Sequence, residues 1–351
     1  MREKQIKEHK STIYDGKCRI IDPAQARQRS KQEKFVIRLK VPKSGTTSID
    51  DLIRGKINFD NKLIDDQVLL KSDGFPTYHL GVVVDDHLME ITHIIRAEEW
   101  ISSTPKQVML YQFLGWQLPV YAHGPILRNP DKSKLSKRKN PVWASWYKQQ
   151  GYIPQAILNY LSLMGWSHPE GRDIFSLAEF IDKFRLQDLK AVGPAFDMKK
   201  LEWMNGEYIR QMQDSVLSEK INNFLSRKYD EKLIQKTAPL IKERIKKLAD
   251  YYSLCRFFFE EPARYELDLS SYNSLLTGIY AVLERIDDWQ AVKIGDSMQK
   301  LAGKLEIKNS EFFMVLRVAV TGQKITPPLN ESMEILGKER VLARLKASIH
   351  G

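Results

Sequence analysis

Cysteine is scarce in this sequence: Cys18 and Cys255 are the only two in 351 residues. They lie far apart and form neither a CxxC pair nor a Cys/His spacing of the kind that encloses zinc, which excludes a disulfide framework and a zinc ribbon. A reducing compartment is expected. No apolar run approaches the roughly 20 residues that cross a bilayer. Residues Met1 to Lys10 are charged and carry no apolar signal core, so a cytoplasmic protein without a membrane partner is expected. Internal repeats and low-complexity tracts are missing too, which excludes solenoids and long disordered segments. Acidic residues fall short of basic ones, 44 against 55, for a net charge of +11. A positive field of that size favours an anionic partner. RNA, DNA and an anionic membrane all satisfy it, as does a basic surface that is merely solvated.

What is present reads as a globular chain of two to four domains, 42% hydrophobic and 28% charged. The opening 34 residues are polar, with a basic cluster from Arg27 to Lys34, and predict helix and loop with little core. Alternation over Phe35-Val36-Ile37-Arg38-Leu39-Lys40-Val41, with a turn at Pro42-Lys43-Ser44-Gly45, predicts an antiparallel β patch over 35–72 in which Val68-Leu69-Leu70 is a later strand. The run Leu80-Gly81-Val82-Val83-Val84, ended by Asp85-Asp86, predicts a strand buried on both faces, with Ile91, Ile94 and Ile95 following. Ser103-Thr104-Pro105 predicts a helix start with a capping hydroxyl, and Val108, Tyr111 and Leu114 share one face. A strand followed by a helix is half of a nucleotide-binding fold. From Pro154 onward the apolar spacing is helical, in Ile157-Leu158, Leu161 and Met164 and again in Ile241, Ile245, Leu248 and Tyr252. Gly322 and Pro327-Pro328 interrupt it.

The densest motif is the basic loop Pro130-Asp131-Lys132-Ser133-Lys134-Leu135-Ser136-Lys137-Arg138-Lys139-Asn140-Pro141. Ammonium groups there can neutralise triphosphate charge during attack on an α-phosphate, with Ser136 adding a donor. On spacing alone an exposed loop, RNA-touching or merely solvated, is the plainer reading. Tyr78 and His79 sit at the mouth of the first predicted strand and Arg96 at the end of the second, where open α/β sheets bind ligands. An arginine fork suits a bidentate carboxylate, whereas a structural ion pair with Glu98 or Glu99 is the plain alternative. His79, His87 and His93 have no partner at ligand spacing, so no metal site is expected. Asp85-Asp86 fits a Mg²⁺ pair or a strand-terminal turn.

Several strings together resemble the bacterial glutamyl-tRNA synthetases of class I. They are Tyr14-Asp15-Gly16-Lys17-Cys18-Arg19, Lys71-Ser72-Asp73-Gly74-Phe75-Pro76-Thr77-Tyr78-His79-Leu80, Val84-Asp85-Asp86-His87-Leu88-Met89, Ile95-Arg96-Ala97-Glu98-Glu99-Trp100 and Lys134-Leu135-Ser136-Lys137-Arg138. The likeness runs from about residue 11 to the end, through Asn159-Tyr160-Leu161, Trp203-Met204-Asn205-Gly206 and Ala319-Val320-Thr321-Gly322. Glutaminyl relatives would have β-barrels in the last part, and glutamyl-queuosine relatives would have nothing there.

The resemblance implies an α/β plus all-α protein: the C-terminal half of a class I Rossmann catalytic domain with a connective insertion, then a helical anticodon-binding region. It divides into 1–77 as acceptor-binding connective domain, 78–118 as second Rossmann half, 119–213 as stem-contact region with the KMSKS-like loop, and 214–351 as anticodon-binding helices. The implied reaction is ATP-dependent activation of glutamate and transfer to the 3′ end of tRNA-Glu, with Mg²⁺ accompanying ATP. Lys134, Ser136, Lys137 and Arg138 are the implied catalytic loop. Glu99, Leu127 and Leu135 join it around ATP, Tyr78, Val82 and Arg96 hold glutamate, and Arg244 tests the anticodon. Phosphate contacts would explain the basic balance.

Three departures shape the expectation. The family's opening strand, its HIGH-type turn and its first glutamate-binding arginine have no counterpart in these residues, so an enzyme fragment or incomplete gene product with an incomplete ATP site is expected, with a separate N-terminal half as the alternative. Val82 stands where relatives place an asparagine, which removes a hydrogen bond worth about 0.5–1.5 kcal/mol. Cys18-Arg19-Ile20 stands where zinc-containing relatives have Cys-x-His, so no zinc is expected. The competing readings are a catalytically inactive tRNA-binding module and one subunit of a split synthetase.

Overall fold

The computed structural model describes residues 2–7, 13–135 and 143–350. Ser136, Lys137 and Arg138 of the basic loop lie outside the described residues. Two compact units emerge, one of Met1–Lys134 with Leu161–Phe196, the other of Leu135–Tyr160 with Asp197–Gly351.

In chain order the first unit opens with α1 (Arg2–Lys7) and α2 (Pro23–Ser30), the latter capped by the Asp22 carboxylate and burying no residue. Strands β1 (Ile37–Arg38), β2 (Thr46–Asp51), β3 (Gly55–Asp60) and β4 (Val68–Leu70) then form two antiparallel pairs, β1 with β4 and β2 with β3. Next come α3 (Tyr78–Leu88), β5 (His93–Ala97), α4 (Thr104–Leu114) and β6 (Val120–Gly124). The main sheet runs β3-β2-β6-β5, with β2, β6 and β5 mutually parallel, so the β2–β3 hairpin joins the nucleotide-fold strands. Its register aligns Arg96 with His123 and Asp51 with Tyr121, gathering the carboxyl ends of three strands.

Two segments depart from the expected local structure. Leu80–Val84 is helix, inside α3, and not a buried strand; Asp85 and Asp86 are helical residues as well. His79 and Val83, four apart, are the buried positions, and Val83 packs with Leu39, Val41 and Met109. That one-sided burial at helical period outweighs the β propensity of three consecutive valines. Helix α4 starts where the Ser-Thr-Pro string places it, but Ser103 makes no capping bond. Instead the Thr104 hydroxyl donates to the Trp100 carbonyl. Val108 and Tyr111 are buried, while Leu114 at the helix end is exposed.

The remaining helices are α5 (Ala144–Gln149), α6 (Pro154–Ser162), α7 (Leu177–Lys183), α8 (Met198–Arg210), α9 (Asp214–Phe224), α10 (Glu231–Ile241), α11 (Ala249–Cys255), α12 (Asn273–Glu284), α13 (Ala291–Lys304), α14 (Asn309–Thr321), α15 (Leu329–Leu336) and α16 (Lys338–His350). Those from α8 onward build the second unit around two apolar cores. One gathers Ile209, Leu217, Ile234, Ile241 and Phe258, and the other Leu276, Ile279, Phe312, Leu316 and Leu345. Arg344, 3% exposed, donates to Glu261 and to the carbonyls of Val320, Phe257 and Glu260. Gly322 ends α14 at φ 77°, and a Cβ there would meet the Arg264 carbonyl at 2.9 Å, so only glycine fits. The apolar spacing over 241–252 is not one helix. Pro239 sits in the last turn of α10, and the Asp250 carboxylate caps the Lys246 and Lys247 amides ahead of α11. Arg244 therefore lies in a turn.

Candidate active site

At the carboxyl end of β5 the Arg96 guanidinium is held along one edge. Its Nε donates to His123 Nε2 at 3.0 Å and its Nη2 donates to the Thr104 hydroxyl at 2.8 Å. The Trp100 and Tyr121 rings flank its central carbon at 5.7 and 5.4 Å, close enough for cation–π attraction. Among the described residues no carboxylate pairs with it. Glu98 is engaged by Arg54 at 2.7 Å and Arg128 at 3.4 Å, and Glu99 by Lys134. The ion-pair alternative to a ligand role for Arg96 therefore has no partner in place. Burial lowers the Arg96 pKa, and the edge of the fork away from His123 is open to a bidentate anion.

Behind Arg96 lies a buried pair. His123 Nδ1 sits 2.6 Å from Asp51 Oδ2, and both side chains are fully buried. The Asp51 carboxylate also accepts from the amides of Ile53, Arg54 and His123. Burial pushes the His123 pKa down; the Asp51 hydrogen bond opposes that, and the Arg96 charge reinforces it. A neutral imidazole with its proton on Nδ1 satisfies both neighbours, since Nε2 must accept from Arg96.

Tyr78 opens α3, half exposed, and its ring packs on Trp100 at 5.1 Å, so Tyr78 and Arg96 share that indole as a neighbour. Val82, one turn on in α3, is half-buried and packs against the core of Leu39, Val83 and Met109. His79 Nδ1 and the Tyr121 hydroxyl are buried without a hydrogen-bond partner, and burial lowers the His79 pKa and raises that of Tyr121. An unsatisfied buried polar atom costs about 1–3 kcal/mol, and others of the kind lie elsewhere in the chain, at Asn222, Gln323 and Asn330.

Leu127 is half-buried in the extended segment after β6, and beyond it a turn closes from Asn129 to Ser133. Lys134 follows, ion-paired to Glu99, with both side chains close to half exposed or more. Among the described residues no three His, Cys, Asp or Glu side chains group as a metal site. No helix among them is long and apolar enough to cross a membrane.

Comparison with known proteins decides the family. Residues 1–203 match the tRNA synthetases class I (E and Q), catalytic domain, and residues 210–349 match the anticodon binding domain. The glutamate–tRNA ligase of Dehalococcoides mccartyi is 42% identical over 99% of this chain and 74% of its own length. That of Acidothermus cellulolyticus is 44% identical, over 99% and 72%.

This chain belongs to the glutamyl-tRNA synthetase family.

Solved members of the family share its fold. A glutamate tRNA ligase from Elizabethkingia meningosepticum, in complex with its amino acid, superposes with a TM-score of 0.86 at 28% identity, over 99% of this chain and 76% of that one. Glutamate-tRNA synthetase from Elizabethkingia anophelis gives 0.83 at 28% identity, over 100% and 77%.

In the helical part, Arg244 donates to the Thr326 carbonyl and makes no ion pair with Glu243 or Asp250, whose carboxylate serves Lys247. Arg317 on α14 lies beside it: burial lowers its pKa first and the Arg244 charge adds to that. Its Nε is buried without a partner. Sequence reading missed Arg317, Asp51 and His123. The string Leu316-Arg317-Val318-Ala319 was available for the first, but no spacing announces a pair formed across 72 residues.

Proposed function

We propose that this chain carries glutamate–tRNA ligase chemistry, activating glutamate with ATP and transferring it to the 3′ end of tRNA-Glu. The observation that carries this reading is the open edge of Arg96, fixed by His123 and Thr104 between two aromatic rings with no carboxylate in ion-pair contact among the described residues, Asp86 and Asp51 acting on its charge from farther away. Such an edge fits the side-chain carboxylate of glutamate, with the Tyr78 hydroxyl as a further donor. With valine at position 82, the pocket offers no side-chain amide there.

In this reading a glutamate α-carboxylate oxygen attacks the α-phosphorus of ATP and the bond to the β-phosphate oxygen breaks, releasing pyrophosphate. The ribose hydroxyl of the terminal adenosine then attacks the activated carbonyl and AMP leaves. Lys134, Lys137 and Arg138 stabilise the triphosphate charge, Ser136 donates a hydrogen bond, and Leu127, Leu135 and Glu99 line the ATP site, with Mg²⁺ entering as part of the ATP substrate. The Lys134–Glu99 pair, exposed as it is, gives way to phosphate at a cost of at most about 1 kcal/mol.

Residues 1–77 take the acceptor end, 78–118 the nucleotide fold together with strands β2, β3 and β6 of the same sheet, 119–213 the stem, and 214–351 the anticodon. There Arg244 and Arg317 present neighbouring guanidinium groups to a base edge. The place of action is the cytoplasm.

The test is charging of unfractionated tRNA with labelled glutamate and ATP, by the chain alone and by the chain mixed with the N-terminal part of a relative. Charging in either arm supports the ligase. Charging only on mixing adds a split or partnered enzyme. Silence in both arms, with tRNA still bound, would replace the reading by a tRNA-binding module.

A further inference from the structure

We infer that His123, itself locked by Asp51, is the positioning residue that aims the Arg96 guanidinium and so sets how tightly the pocket holds a carboxylate. The inference rests on the reading of Arg96 as the partner of glutamate.

Arginine in a pocket is a flexible side chain with substantial rotamer entropy, and a fork aimed in advance loses less on binding. Three strands fix the aim. Asp51 ends β2, and its carboxylate is immobilised by three backbone amides, those of Ile53 and Arg54 each 3.0 Å from Oδ1 and that of His123 3.1 Å from Oδ2. The remaining contact on Oδ2 is His123 Nδ1, which must carry the proton because a carboxylate can only accept. That choice of tautomer leaves Nε2 with a lone pair, and Arg96 Nε lies 3.0 Å away on the neighbouring strand, in register. The Thr104 hydroxyl donates to the Trp100 carbonyl and accepts from Arg96 Nη2, completing the cradle; its 3.2 Å approach to Nε2 adds no bond, because its one proton is already given to Trp100. Had the imidazole carried its proton on Nε2, it would face the Arg96 N–H donor to donor and expel the fork. Asp51 therefore dictates the side on which Arg96 can dock.

The geometry separates two substitutions that a structural role would treat alike. His123→Gln keeps an acceptor oxygen at the position of Nε2, and His123→Asn keeps only a donor toward Asp51. The experiment labels arginine and histidine with ¹⁵N, reads the Arg96 Nε–H resonance and the protonation state of each His123 nitrogen, and titrates L-glutamate into wild type and both variants. Expected are a protonated Nδ1, a bare Nε2 and a slowly exchanging Arg96 Nε–H in wild type. His123→Gln should retain that resonance and bind glutamate within about threefold of wild type. His123→Asn should lose the resonance and bind at least about tenfold more weakly, the size of one charge-assisted hydrogen bond. If His123→Asn does not fold, Asp51→Asn, which frees the imidazole to choose the other tautomer, must show the same losses.

A proton on Nε2, or an Arg96 resonance that survives His123→Asn, overturns the inference. Glutamate binding by wild type with equal affinity in the Asn variant overturns it as well, while leaving the pocket reading intact. An intact hydrogen bond with no glutamate response in any form sinks the pocket reading itself, and this role with it.

Discussion

Arg96 and Arg344 are both taken out of bulk water, yet they are equipped differently. Arg344 spends every nitrogen on the protein: Nε on Glu261, Nη1 on the Val320 carbonyl and Nη2 on those of Phe257 and Glu260. Arg96 has one edge engaged and the other open, with the buried Tyr121 hydroxyl unsatisfied close by. The first arrangement is a clamp that satisfies carbonyls at the ends of α14 and the turn after α11. The second retains recognition capacity inside a half-dry pocket. The lesson is that burial of an arginine says little until its five donors are counted.

Breaking the comparison at its functional end gives the largest effect. Arg96→Ala should raise the glutamate requirement by roughly 100-fold or more, about 3 kcal/mol, without changing ATP affinity. Steady-state charging with the N-terminal part of a relative supplied checks this, and a fall in ATP affinity instead would assign Arg96 to the wrong substrate. At the structural end, Arg344→Ala leaves three carbonyls without their donor and should cost about 2–4 kcal/mol in urea denaturation, with the glutamate requirement unchanged.

A finer probe is pH. The hydrogen bond from Arg344 holds the Glu261 carboxyl below its ordinary value near 4.5, with Arg340 helping. A depressed folded value contributes stability above about pH 4.5 and loses it as pH falls through the folded value. Glu261→Gln should therefore flatten the acid limb of a melting-temperature profile below about pH 4.5, whereas Arg96→Ala leaves that limb alone. An unchanged limb in Glu261→Gln would detach Glu261 from the clamp.

The smallest effect belongs to the exposed pair. Lys134→Ala should alter stability by less than about 1 kcal/mol while slowing adenylate formation, and a larger stability loss would make Lys134 structural.

Much of this was legible in the sequence. The strand at Val68-Leu69-Leu70, the helix at Thr104, the helical run after Pro154 and the stop at Gly322 follow from local chemistry, and the shared strings carried the family. The helix over Leu80–Val84 was not legible, because three valines in a row favour strand and only burial at 79 and 83 shows the period. The turn at Arg244 was hidden behind apolar spacing that continues across it. Asp51 and His123 gave no signal, since what joins them is strand order and not separation along the chain. Arg96 was singled out from its place at a strand end, but its open edge is a property of the fold.

The most direct measurement is the Arg96 side-chain resonance during titration with L-glutamate and, separately, L-glutamine. The account predicts a saturable shift with glutamate that is absent, or at least about tenfold weaker, with glutamine, because only the former brings the second carboxylate that the open edge fits. Equal responses to both amino acids, or none at Arg96 while glutamate binds elsewhere, would contradict it.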